Sequence, residues 1–543
     1  MKSKLTTALN NVLENLHFPT MTILIQLPKN PAHGDFSTNI AMQLSNKVNK
    51  NALDIAKNIS DNLKTNYPNL IESINIAGPG FINIHVKKDQ IISQLQMIIK
   101  ENTDFGKTNH GQGKTALIEF VSANPTGPLT VGHGRGAILG DVISNVLKWN
   151  GYEVEREYYY NDAGRQMERL GLSVQARYLE LQGRSINFPK EGYEGEYIID
   201  IARELFEEKG DSLINQTDFS PFTKAAEKRI FQLIKHTLSQ MGLIFDRYFN
   251  EQSLYDSGAI KQVLQNLKEK GLIYEHEGAT WFKATSAGRD QDKVIIKSSG
   301  EPTYRLPDIA YHRDKLERGY DLIIDVLGAD HMDAYPDVIA AIESMDYSSE
   351  KIKVLIHQFV TLIKNGEPVK MSTRKAQYVT LDELIEEVGA DVVRYFFLMR
   401  GMNSHLNFDI NLARDESDEN PVFYLQYAYA RLCNILKHAK SLEHDIQIDS
   451  NLSCLKMDSE INLIKYLMEF PLILKNTFDN LEPQNIANYL QNLAGQFHRY
   501  YANTRIITSD HNITAARLVL VNAIKIVIHN GLTILGINAP ERM

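Results

Sequence analysis

Apolar and polar residues change their spacing three times along this chain. Near the start, Leu5, Leu9, Val12, Leu13 and Leu16 recur at helical intervals among polar residues. That pattern predicts an amphipathic helix rather than a signal peptide. The segment Ile74–Ile84 alternates apolar and polar positions around Gly78-Pro79-Gly80, which predicts strands about a turn. Residues 1–105 therefore read as a small α/β unit, and the polar, glycine-bearing stretch 101–114 as a linker. From Thr115 to about Asn411, strand-like runs (117–121, 321–327, 351–360) alternate with helical ones. This alternation predicts a doubly wound parallel sheet over residues 112–415. The charged, helical stretch of about 165–245 reads as an insertion within it. Beyond the acidic patch Asp415–Glu419 the spacing is helical throughout, so residues 420–543 read as an all-α bundle.

At 543 residues the chain is too long for one hydrophobic core. No apolar run stands out as long enough for a membrane span. Only Cys433 and Cys454 are present, so neither a disulfide framework nor a cysteine-rich zinc site is expected, and no other metal site is read. That usage suits a reducing cytoplasm. The net charge of −9 argues mildly against nucleic acid. A large RNA needs only its contacted face to be basic, however, and Lys224/Lys228/Arg229 or Arg499/Arg505 could supply one.

The densest chemistry lies in residues 119–141, EFVSANPTGPLTVGHGRGAILGD. An apolar run from Ala116 to Val121 reads as a buried strand, and a Pro/Gly-broken loop follows it. Gly132-His133-Gly134-Arg135-Gly136 then opens a helix. Free N–H groups and the helix dipole favour a phosphate there, and His133 adds a side-chain donor. The same residues also fit the dinucleotide fingerprint G-x-G-x-x-A, with Glu153 and Glu155 about twenty residues on as ribose-binding acids. A third reading is a glycine turn that serves only close packing. From this segment all three stand open.

The stretch PTGPLTVGHGRGA resembles the HIGH signature of class I aminoacyl-tRNA synthetases, here Thr130-Val131-Gly132-His133. Val369-Lys370-Met371-Ser372-Thr373-Arg374-Lys375 resembles their second signature, KMSK. One family matches especially well, arginyl-tRNA synthetase. It is matched through Ser122–Asp141, Tyr159–Gln166, Asp308–His312, Gly328–His331 and the terminal Ala539–Met543. The resemblance also takes in the N-terminal segment 32–41, AHGDFSTNIA. It implies an N-terminal tRNA-contacting module, a Rossmann-type catalytic domain and a helical anticodon-binding domain. The implied activity is attachment of L-arginine to the 2′-hydroxyl of tRNA(Arg) using ATP with Mg²⁺, by a cytoplasmic monomer with no membrane association.

The resemblance also implies roles for particular residues. His133 would donate to the phosphates, with Gly132, Gly134 and Gly136 admitting ATP. Thr130 departs from the family, which has a second histidine there. Lys370, Met371 and Ser372 would complete the nucleotide site. Thr373 replaces the second KMSK lysine, leaving Arg374, Lys375 or the upstream Lys114 to supply charge to the pyrophosphate. Asp308 and Tyr304 fall at guanidinium-binding positions, with Glu251 as a second acid. Ser122 and Asn124 match positions that hold the amino acid's backbone end, and Asp330 with His331 line the same cleft. From the residues alone, Asp308 reads equally well as a helix N-cap.

For tRNA, Arg431, His498, Arg499, Tyr500, Tyr501 and Arg505 mix basic and aromatic groups suited to unpaired bases. His33, Asp35 and Phe36 sit in the motif of the N-terminal module. Two other readings remain at this point. One is a nicotinamide-dependent oxidoreductase built on the glycine turn. The other is a synthetase-like RNA-binding protein without catalysis, which Thr130 keeps open.

Overall fold

The computed structural model describes residues 1–26, 28, 30, 33–184, 186–369, 379–444, 446 and 451–543. Its centre is a five-stranded parallel sheet. Across the sheet the order is Ile352–His357, Leu322–Gly328, Thr115–Glu119, Glu153–Tyr160 and Arg247–Asn250. Counted along the chain this is 5-4-1-2-3, so the winding reverses between Thr115–Glu119 and Leu322–Gly328. A crevice opens at that reversal, beyond the strands' carboxyl ends, where ligands of such sheets bind. Strand Thr115–Glu119 is buried almost throughout because helices cover both faces.

Two insertions interrupt the sheet. Helices Gly164–Glu180, Glu196–Lys209 and Ser220–Gln240 form the charged helical one expected from the sequence. A second, not read from the sequence, follows Arg247–Asn250. It contains helix Ala259–Glu269 and an antiparallel sheet of Ile273–His276, Ala279–Phe282 and Lys293–Ile296. Its strands are only four residues long, too short for their alternation to stand out.

The N-terminal unit is a four-stranded antiparallel sheet packed with helices, including the hairpin Ile71–Ala77/Phe81–Val86 about Gly78-Pro79-Gly80. Residues from Pro421 on are helical, closing with His511–Leu535. By length and composition that last helix could cross a membrane, contrary to the sequence reading, which saw no such run. Most of it is buried against Pro421–Ser441, Gln484–Asn503 and Gln94–Glu101, so it serves as a core helix.

One guanidinium joins three of these parts. Arg394, almost wholly buried, pairs with Asp141 on helix Val131–Trp149. It also donates to the Met241 carbonyl at 2.7 Å, just past the helical insertion, and to the Leu535 carbonyl at 2.8 and 2.9 Å. Gly536, which caps His511–Leu535 in the left-handed region (φ 66°), lies against it, and a Cβ there would stand 2.1 Å from Arg394 Nη2. Gly536→Ala is therefore expected to destabilise the fold by roughly 1–3 kcal/mol. Thermal unfolding should show a lower melting temperature, and an unchanged one would contradict this packing.

Candidate active site

Strand Thr115–Glu119 leads through Phe120 to two consecutive left-handed residues, Val121 (φ 69°) and Ser122 (φ 44°). The Ser122 N–H bonds the Phe120 carbonyl at 3.0 Å, closing a three-residue turn. Positive φ at a β-branched valine is strained, by roughly 1–3 kcal/mol. The turn aims Ser122 back across the strand end. Its hydroxyl donates to Glu119 Oε1 at 2.8 Å and accepts the Tyr159 N–H at 3.2 Å. Asn124 accepts the Asn161 N–H at 3.0 Å and donates to Gln166 Oε1 at 3.1 Å.

The glycine turn begins helix Val131–Trp149, with Thr130 as its N-cap. The Thr130 N–H donates to His133 Nδ1 at 3.1 Å, and its hydroxyl lies 3.2 Å from the same nitrogen. A ring nitrogen that accepts an N–H carries no hydrogen, so the neutral ring bears its own on Nε2. Burial lowers the proton affinity of His133, against the opposing pull of Asp330. The ring is thus a neutral donor through Nε2. Thr130 braces His133 chiefly through its backbone N–H.

The glycines divide by direction. Gly132 faces open space, its nearest neighbour being Thr130 Oγ1 at 3.7 Å. Gly136 abuts His357, where a Cβ would sit 2.9 Å from Nε2. Gly134 turns away, toward Leu381 and Phe397. The expectation that it admits ATP is corrected: it allows close helix packing. His357, at the end of the last sheet strand, was missed because no motif marks it. Burial pushes it down to about 4, so it is a second neutral imidazole in this half of the cleft.

The opposite half is acidic. Glu251 accepts from Tyr159 Oη at 2.6 Å and Asn161 Nδ2 at 2.7 Å, and burial raises its pKa against these bonds. Asp308 lies one turn into helix Arg305–Glu317, whose N-cap is Tyr304, so the capping role is not its own. Burial first, and then Glu119 and Glu251 nearby, push Asp308 up to about 7, although His312 and Lys315 oppose this. Tyr304 stands largely exposed at the mouth. Glu119, also missed from the sequence, is buried at the strand end and paired with Lys315. Nothing in an apolar run signals a charge in use.

One cleft of about 880 Å³ takes in Ser122, Asn124, Thr130, Gly132, His133, Gly136, Glu251, Tyr304, Asp308, Asp330 and His331. It joins an acidic half, shaped for a cation, to a helix N-terminus shaped for phosphates. Lys370, Met371, Ser372, Arg374 and Lys375 lie outside the described residues. Their flanks are placed: Val369 bonds Leu362, and Thr380 bridges to Thr130 beside the glycine turn. Lys114 precedes strand Thr115–Glu119, at the end opposite the cleft, so it cannot supply charge there. Glu153 and Glu155 also begin their strand, too far away to hold a ribose, which removes the dinucleotide reading.

A second groove, of about 770 Å³, lies in the C-terminal bundle. Arg431 stacks over Tyr427 and Tyr501, with centroids 4.4 and 5.1 Å away, and contacts His498 Nδ1 at 3.1 Å. Arg505 lines the groove, and Arg499 is exposed on the same helix as Tyr501. Tyr500 is corrected: it is buried and donates to Glu460 at 3.2 Å, so it cannot stack on a base. In the N-terminal unit Phe36 is buried and Asp35 accepts the Val86 N–H at 2.7 Å, which are structural roles.

Three family models match the chain: the arginyl tRNA synthetase N terminal domain over residues 2–86, the class I (R) tRNA synthetase catalytic domain over 94–395, and the DALR anticodon binding domain over 425–543. An arginine–tRNA ligase of Salinibacter ruber is 47% identical over 562 residues, covering 100% of both chains. One of Desulfotalea psychrophila is 47% identical over 523 residues, covering 96% of this chain and 94% of that one. Among solved structures, Thermus thermophilus arginyl-tRNA synthetase superposes with a TM-score of 0.77 at 21% identity, covering 100% of both chains. That of Plasmodium falciparum gives 0.74 at 20% identity, covering 100% of this chain and 99% of that one.

The buried acid generates a pH prediction. Below about pH 7 the empty site holds a proton on Asp308, which a guanidinium must displace. The KM for arginine should therefore climb by up to about tenfold per pH unit below 7. The sign for stability follows from the same shift. The raised folded pKa makes the empty enzyme lose stability as pH rises from about 4 through 7. Asp308→Asn should stabilise it at pH 8 by about 1–4 kcal/mol and weaken the binding of any cation held against this wall. Calorimetric melting and titration with arginine check both, and a destabilised variant would refute the shift.

Proposed function

The chain belongs to the arginyl-tRNA synthetase family, and we propose that its cleft activates L-arginine with ATP and passes it to tRNA(Arg). The arginine carboxylate attacks the α-phosphorus, the bond to the β-phosphate oxygen breaks, and pyrophosphate leaves. The 2′-hydroxyl of the tRNA's terminal adenosine then attacks the carbonyl carbon, releasing AMP and a proton. No covalent enzyme intermediate is needed, so catalysis is positioning and stabilisation of charge.

The observation that carries this reading is the pairing of halves: Asp308, Glu251 and Glu119 on one wall, and His133 on the glycine turn opposite. Asp308 and Glu251 take the guanidinium, whose planar fork a carboxylate answers in geometry as well as charge. Ser122 and Asn124 hold the amino acid's backbone end, and Tyr304 closes over the side chain from the mouth. His133 donates Nε2–H to a phosphate oxygen, and Gly132 lets the nucleotide approach the backbone. By resemblance Lys370, Met371, Ser372 and Arg374, which lie outside the described residues, would complete the nucleotide site. Asp330, near His133, faces the same space.

Mg²⁺ fits as a companion of the triphosphate, whose oxygens suit a hard cation, and bound there it supplies positive charge to the leaving pyrophosphate. Among the described residues no group of three or more ligating side chains gathers to hold a metal. The groove of Arg431, Tyr427, Tyr501 and Arg505 receives anticodon bases, and Arg499 lies beside their phosphates. The division 1–105, 112–415 and 420–543 then separates a tRNA-contacting module, the chemistry and the anticodon grip. The enzyme acts as a cytoplasmic monomer.

Charging of total tRNA with radiolabelled arginine, ATP and Mg²⁺, with lysine as control, tests the reading. Arginine-specific charging should fall at least 100-fold in His133→Ala and vanish in Asp308→Ala. Arg431→Ala should leave the chemistry intact and weaken tRNA binding about tenfold, a loss of roughly 1–3 kcal/mol of stacking and charge. ATP–pyrophosphate exchange should require tRNA, and appreciable exchange with arginine alone would count against that requirement.

A further inference from the structure

Behind the acidic wall lies a lysine to which neither the signatures nor the proposed mechanism assigns a role. Lys315 is fully buried on helix Arg305–Glu317, two turns beyond Asp308. Its ammonium bonds Glu119 Oε2 at 2.5 Å and Asp325 Oδ1 at 2.6 Å, and lies 4.1 Å from the Tyr311 ring centroid. Among the described residues no other lysine or arginine comes within 4 Å of either carboxylate. Each acid spends its second oxygen within the cluster. Glu119 Oε1 accepts from Ser122, and Asp325 Oδ2 lies 3.0 Å from His312 Nε2. His312 Nδ1 lies 2.8 Å from the Asp308 carbonyl. A continuous chain thus runs from Ser122 through Glu119, Lys315, Asp325 and His312 to the backbone of Asp308.

We propose that Lys315 is a positioning residue for arginine recognition: it locks Glu119 and Asp325 together behind the pocket and offsets part of the wall's negative charge while it is empty. The inference rests on the proposed role of Asp308 and deepens it. Taken together, Glu119, Glu251, Asp308 and Asp325 bring four carboxyl groups into one buried region. Also facing it are His312 and Tyr311 from the same helix, Tyr159 from the sheet, and Glu157 with its partner Arg318. Without Lys315, repulsion among the four acids would hold protons on them, and the cation would meet a neutral wall. The balance of forces agrees. Burial lowers the pKa of Lys315, but Asp325 and Glu119 outweigh it, so the ammonium persists. Burial raises that of Asp325, but Lys315 and His312 outweigh it. Lys315 touches no substrate and acts only through the acids.

The test compares pH profiles of KM for arginine and for ATP, in the charging reaction with tRNA, for wild type, Lys315→Met, Asp325→Asn and the double variant. Wild type should show the break near pH 7 generated by Asp308. In Lys315→Met the break should move upward by about one unit, raising KM for arginine about fivefold at pH 7 and about tenfold well below it, with KM for ATP within about twofold. Asp325→Asn frees Lys315 for Glu119 and should leave the break unmoved or lower. The double variant removes one cation and one anion together, and its break should lie between those of the single variants. An unshifted break in folded Lys315→Met, or parallel losses for arginine and ATP, overturns the proposal. If Lys315→Met fails to fold, the double variant against Asp325→Asn decides: an upward shift supports the role and none refutes it. Absence of any break near pH 7 in wild type would instead overturn the reading of Asp308.

Discussion

The buried pair of Arg394 and Asp141 is the contact on which the arrangement of this molecule turns. Asp141 lies in the middle of the helix that begins with the glycine turn, and its second oxygen holds Arg156 at 2.8 Å. Through Met241 and Leu535, the same guanidinium ties down the close of the helical insertion and the close of the last helix. Losing one partner of such a buried pair leaves an unpaired charge, at a cost of roughly 3–5 kcal/mol. The carbonyl bonds add direction, because a planar fork satisfies several acceptors in only one orientation. The helix carrying His133 is thereby fixed against the C-terminal helical bundle. Asn530 extends the tie to the N-terminal unit, donating to the carbonyls of Asn102 and Phe105 at 2.9 and 3.2 Å.

With that helix in place, the cleft is an electrostatic divide. One half holds neutral donors, a helix terminus and two imidazoles that burial keeps uncharged. The opposite half concentrates carboxyl groups whose repulsion the fold must sustain when no cation is bound. Such a half is destabilising in isolation, and a cation held against it would relieve the repulsion.

The strained turn at Val121 and Ser122 belongs to the same economy of placement. It brings a hydroxyl over Glu119 and toward Tyr159 at the one point where the sheet reverses its winding. The backbone N–H of Thr130 holds His133 in the tautomer that points a hydrogen outward, a bond that does not depend on the side chain at that position.

Local pattern determined much of this protein. The parallel sheet follows from alternating apolar runs, the glycine turn from its own residues, and the terminal bundle from helical spacing. The proposed roles of Asp308, Glu251 and Ser122 come only from ordered resemblance, since an acid near a helix start reads equally as a cap. Tertiary structure decided what distance in the chain conceals. Glu119 and Lys315 are 196 residues apart and meet in the core, while His357 joins His133 because two strand ends converge. Direction was likewise invisible: Gly134 faces the packing of its helix, Tyr500 faces Glu460, and Lys114 stands at the wrong end of its strand. The sequence by itself specifies which residues share a face of one element, because period and side-chain geometry are local. Which faces meet, and which charges then lose their water, depends on packing between distant segments, and only the fold determines that.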